Sequence, residues 1–139
     1  MITHEHLNLK DRYTLLESLP YYYKLGVEIG VWQGWYTSHM ISKTRMTVFG
    51  IDPWVATESY GDVDPDIKDF EPFKTGTDGL LWQEARYIYT IRSLKSRFPA
   101  NRWEILRSYS KPASLFFDNE SVDFVYIDGE HTYLCLIHI

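Results

Sequence analysis

A chain of 139 residues, 45% of them apolar and 17% aromatic, is long enough to bury one core and too apolar to remain disordered. Its net charge of −5, its pI near 5.5 and the lack of any stripe of Lys or Arg argue against a nucleic-acid partner bound through phosphates. The single cysteine, Cys135, excludes an intrachain disulfide and a cysteine-rich zinc site.

The first residues, Met1 to His6, carry neither a basic n-region nor an apolar h-region, and no apolar run reaches the ~20 residues of a membrane span. A soluble, cytoplasmic protein with no membrane partner is therefore expected. Leu25-Gly26-Val27-Glu28-Ile29-Gly30 reads as a strand ending in glycine, and the segment after it, through Met40 and Ile41, spaces its apolar residues helically. Thr47 to Asp52 is a second β-rich run that Pro53 ends, because proline has no N–H to continue a ladder. From 53 to 80 the chain is rich in Pro, Gly and Asp without periodicity, which reads as a lid-like insertion. Its Trp54, Tyr60, Phe70 and Phe73 either stack on a ligand ring or pack the lid on the core.

An amphipathic helix with a basic last turn follows from Trp82 to Phe98, stopped by Pro99. Trp103 to Leu106 reads as a third strand, Ser110 to Phe117 as a short helix, and Val122 to Asp128 as the clearest strand of the chain. Strands alternating with helices imply an α/β fold, a Rossmann-like parallel sheet with helices on both faces. One domain, 1–139, is expected.

Such sheets bind ligands at the carboxyl ends of their strands, and here those ends are polar. Glu28-x-Gly30-x-x-x-Gly34 offers a turn that brings backbone close to a ligand, with free helix N–H groups after it. It lacks the third glycine of a dinucleotide fingerprint, which disfavours an NAD-dependent oxidoreductase. Asp52, about twenty residues beyond Gly30, suits the two hydroxyls of a ribose, or else caps the turn before Pro53. Asp128-Gly129-Glu130-His131 gathers carboxylates and an imidazole suited to metal binding or proton transfer; the alternative is a plain turn with His131 facing solvent.

Val27 to Gly34, Phe49 to Trp54 and Phe124 to Tyr133 resemble three ordered blocks of class I S-adenosylmethionine (SAM) methyltransferases. The closest branch looks like the small-molecule O-methyltransferases related to the macrocin and cephalosporin-hydroxylase-like groups. The resemblance implies that Gly30 and Gly34 pass beneath the methionine moiety of SAM, that Glu28 orients its ammonium group and that Asp52 holds its ribose. It implies that Ser108 and Tyr109 lie near the adenine, although they also read as an ordinary β-α loop. Asp128 would be a ligand of Mg2+ in metal-dependent members and His131 a base or substrate-orienting group, with a small hydroxylated molecule as acceptor.

After Tyr133 the family continues with an acidic helix, a fifth strand bearing an aspartate block and two further strands, whereas this chain ends in the apolar Leu134-Cys135-Leu136-Ile137-His138-Ile139. The expectation is a truncated fold, incomplete at its C-terminal side and without strands five to seven. An uncovered fourth strand then predicts a homo-oligomer. A competing reading is a non-catalytic or remnant SAM-binding module that acts through self-association.

Overall fold

The β-rich runs form strands and the periodic segments between them form helices. The structure is a computed structural model that describes residues 11–55 and 79–129. In chain order the elements are α1 (Asp11–Ser18), β1 (Leu25–Ile29), α2 (Trp35–Lys43), β2 (Thr47–Ile51), α3 (Gly79–Arg97), a 3-10 turn (Ala100–Arg102), β3 (Trp103–Leu106), α4 (Ser110–Ser114) and β4 (Phe124–Ile127). All strand pairs are parallel, in the order β3-β2-β1-β4. The chain thus builds outward from β1 to β3 and then crosses back to lay β4 on the other side of β1. That reversal makes the β1/β4 boundary a topological switch point, the place at which parallel α/β sheets bind their ligands.

Alternation across the pleat divides the core in two. Val48 and Tyr126 point towards Leu16 of α1, Tyr36, Met40 and Ile41 of α2, and Leu94 of α3. Val27, Ile29 and Ile51 point the other way, onto Ala113 of α4 and the partly buried Phe117 and Val122. Helices therefore cover both faces, as an all-parallel sheet requires. The register sets Glu28 opposite Gly50 on one side and Tyr126 on the other, which puts a carboxyl into the α2 layer near the strand ends.

Several boundaries differ from those read in the sequence, each for a local reason. β4 begins at Phe124 rather than Val122 because the Asp123 carboxylate accepts the N–H groups of Lys24 and Leu25, at 2.7 and 2.9 Å, and ties the entrance of β4 to that of β1. α3 begins at Gly79, three residues before the expected Trp82. α4 stops at Ser114 and the chain runs on in turns through Phe117. The helix α1 was not expected, since its interleaved polar residues show no apolar period; it is held by burial of Leu16 against α2 and the sheet. Of the expected lid, Pro53 to Val55 are described, whereas 56–78, with Tyr60, Phe70 and Phe73, lie outside the described residues.

The open end of α2 is closed from a distance. Arg102 donates to the carbonyls of Ile41, Thr44 and Met46 at 2.9 to 3.2 Å, satisfying acceptors that a helix terminus leaves without partners. Among the described residues no helix is long and apolar enough to cross a membrane.

Candidate functional site

Beyond the last paired residues, backbone hydrogen bonds keep the strand ends together. The N–H of Asp128 donates to Ile29 at 2.8 Å, that of Gly30 to Ile51 at 2.9 Å, and that of Asp52 to Leu106 at 3.2 Å. Glu28, Asp52 and Asp128 are thereby gathered at the switch point. Gly30 has φ 88°, and a Cβ there would lie 2.5 Å from the backbone of Gly129, so the turns after β1 and β4 touch only because this residue is glycine. Gly34, at φ 75°, caps α2 and lies against the Thr90 methyl of α3.

Between these glycines the loop is held by one carboxylate. Asp52 accepts the N–H of Trp32 on Oδ2 at 2.9 Å and that of Trp54 on Oδ1 at 2.7 Å. Both tryptophans occupy the left-handed region, at φ 53° and 44°, which is strained for a bulky side chain and persists only where surroundings over-determine it. Here they do: the Trp54 indole N–H donates to the Trp32 carbonyl at 2.8 Å, and the Thr90 hydroxyl donates to the same oxygen at 3.2 Å. Trp54 is 1% exposed, so it packs the connection onto the core rather than offering a stacking surface. Trp32 instead leaves its ring partly exposed, with the Arg86 guanidinium 5.3 Å from its centroid.

Burial governs the charges. Asp52 is raised from its ordinary value by burial, while the N–H groups of Trp32, Trp54 and Val31 and the charge of Arg107 pull it back. Glu28 is fully buried and accepts the Thr37 hydroxyl on Oε2. Burial pushes its pKa up to about 8 against that hydrogen bond, and the fields of Asp128 and Asp52 add to the rise. Its folded pKa lies above the ordinary 4.5, so between those two values the native state binds more protons than the unfolded chain. Stability associated with Glu28 is then full below pH 4.5 and is lost as pH rises towards 8. Glu28→Gln, which keeps the shape without the charge, is expected to be more stable than the parent at pH 8 and to gain nothing at pH 4.5. Urea midpoints at the two pH values measure this, and equal pH dependence in both proteins would contradict it.

Of the other expected site residues, Ser108 donates its N–H to the Asp52 carbonyl at 3.2 Å, which brings the start of the β3-α4 loop to the site. Tyr109 follows it as the largely exposed N-cap of α4. Glu130 and His131 lie outside the described residues. Two groups escaped sequence reasoning. Gln33, in the glycine turn, is buried, and neither amide atom has a hydrogen-bond partner among the described residues. Arg12 reaches from α1 to within 3.5 Å of the Asp128 carboxylate. No local pattern marks Arg12, because only the docking of α1 brings it to a strand end more than a hundred residues away.

The arrangement suits a ligand that carries positive charge and a vicinal diol, seated over a glycine turn at the switch point. No curated protein matches the chain. Residues 27–138 match the family model described as a methyltransferase domain, which takes in β2, β3 and β4 whole and β1 from Val27. A match over that much of the sheet, and over all three acidic strand ends, means that the chain belongs to the methyltransferase-domain family, whose methyl donor is SAM.

Proposed function

We propose that this chain binds SAM at the β1/β4 switch point and transfers its methyl group to a hydroxyl of a small molecule. The observation that carries this reading is the meeting of Glu28, Asp52 and Asp128 around the positive-φ Gly30. SAM fits that donor set because it bears an ammonium and a sulfonium cation beside a ribose diol. A buried carboxyl raised to about 8 gains most from a cation next to it, so Glu28 would hold the ammonium group. The Asp52 carboxylate accepts backbone N–H groups on both oxygens and, with about four lone-pair sites, keeps room for a ribose hydroxyl. Ser108, which donates its N–H to the Asp52 carbonyl, and Tyr109 after it in the chain would border the adenine.

When bound, SAM supplies an electrophilic methyl group on sulfur. The chain's own task is to place the acceptor oxygen and to take its proton, work that falls to Asp128 and to His131. Mg2+ at Asp128 does not fit the described residues. The carboxylate already faces a guanidinium, and among the described residues no group of three or more His, Cys, Asp or Glu is arranged to hold a metal ion. No step is therefore assigned to a metal.

Calorimetric titration with SAM, S-adenosylhomocysteine (SAH) and NAD tests the cofactor half. One molecule of SAH bound per chain and no NAD is the expected result; NAD binding in preference to SAH would sink the proposal. SAH formation with a panel of hydroxylated acceptors tests the chemistry. A second reading, a SAM-binding module acting through self-association, draws on β4, which pairs only with β1 among the described residues. Tight SAH binding without turnover, with a mass by light scattering that grows with concentration, would favour it.

A further inference from the structure

Arg12 lies outside the stretch that matches the family, yet it ends at the acidic strand end of β4. Its helix is anchored: Leu16 is buried in the core, and the Tyr36 hydroxyl donates to the Arg12 carbonyl at 2.8 Å. The guanidinium is caged by aromatic rings. It donates to the Tyr13 hydroxyl at 2.9 Å and lies 4.8 Å from the Tyr13 centroid and 5.8 Å from that of Tyr36. Tyr36 in turn packs on Tyr126 of β4, with centroids 3.9 Å apart. Nη1 is directed to Asp128 Oδ2 at 3.5 Å, and both side chains remain partly open to solvent.

We propose that Arg12 is the fixed cation of the acceptor site, a positioning residue that orients the Asp128 carboxylate and keeps divalent cations off it. Methyl transfer by this chain then needs no bound metal, a consequence that rests on the function proposed above. The physical ground is that a guanidinium stays charged at every accessible pH and has no lone pair to give a metal. A divalent cation at Asp128 Oδ2 would sit beside a like charge that the Tyr13 and Tyr36 rings hold in place. Left in place, Arg12 supplies the positive field that a metal would otherwise bring to an acceptor oxygen losing its proton.

The test uses Mn2+ as the probe, read by electron paramagnetic resonance on the full chain with and without SAH. Wild type is expected to bind no Mn2+ more tightly than about 1 mM. Arg12→Ala, which bares the carboxylate, should bind at least tenfold more tightly than wild type, while Arg12→Lys, which keeps the charge, should resemble wild type. A purely structural Arg12 would not produce a gain that lysine cancels. Stoichiometric Mn2+ binding by wild type that Asp128→Asn removes would overturn the proposal, as would the absence of any gain in Arg12→Ala. If Arg12→Ala does not fold, Arg12→Gln carries the same comparison with a hydrogen-bonding group left for Tyr13. SAH calorimetry on the same samples keeps the two readings apart: loss of SAH binding throughout defeats the methyl-transfer reading and leaves the Mn2+ comparison standing.

Discussion

Asp52→Ala is expected to lose SAH binding and to lose stability in the same protein. The carboxylate satisfies the amides of Trp32 and Trp54, and its removal leaves both N–H groups without their acceptor at a half-buried site. Hydrogen bonds to charged groups contribute roughly 1.5–3 kcal/mol each and are not additive here, since one side chain makes both, so a loss of about 3 kcal/mol is expected. The strain of two tryptophans at positive φ acts in the same direction, because among the described residues the Asp52 carboxylate is the acceptor that holds the Trp54 amide. Asp52→Asn retains one acceptor oxygen and should fall between. Urea unfolding and SAH calorimetry on the three proteins decide the matter. Lost SAH affinity with unchanged stability would mean that Asp52 serves the ligand alone, and no change in either would remove it from the site.

Gly30→Ala should be about as damaging, by a different cause. The added methyl would meet the Gly129 nitrogen and Cα at 2.5 Å and the Asp128 carbonyl carbon at 2.6 Å. These are backbone atoms, which cannot rotate aside as a side chain does. The φ of 88° adds a conformational penalty, and together they should destabilise the fold by about 3 kcal/mol or more and part the turns after β1 and β4. Gly129→Ala is the control from the other side of the same contact. Among the described residues a Cβ there finds its nearest atom, the Ile29 carbonyl oxygen, at 3.7 Å, which is ordinary contact, so its effect should stay within about 1 kcal/mol. Thermal unfolding of the pair measures the asymmetry. Equal tolerance of both substitutions would show that the two turns do not meet as closely as described.

The sheet was legible in the sequence because strand formation is written locally. Apolar runs such as Leu25 to Ile29 and Thr47 to Ile51, broken by Gly30 and Pro53, need no knowledge of their neighbours to be read. The polar residues at their carboxyl ends were legible for the same reason, and with them the α/β class. Boundaries were less so. Asp123 reads as part of a strand until Lys24 and Leu25 are seen to claim its carboxylate.

What the tertiary structure alone decided is how those strand ends are charged and held. Glu28 is an ordinary strand carboxyl in one dimension; its raised pKa comes from burial under α2 beside two other acids, and burial is a property of the packed chain. Asp52 suggests a ribose contact by its spacing, but its grip on Trp32 and Trp54 depends on loops that meet only when β1 and β2 pair. Arg12 reaches Asp128 through two docking events, β4 against β1 and α1 against α2, neither of which has a local signature. Periodicity along the chain therefore specified the elements and the edge at which the acidic strand ends lie. Long-range pairing, which no short window of sequence contains, determined which charges meet there.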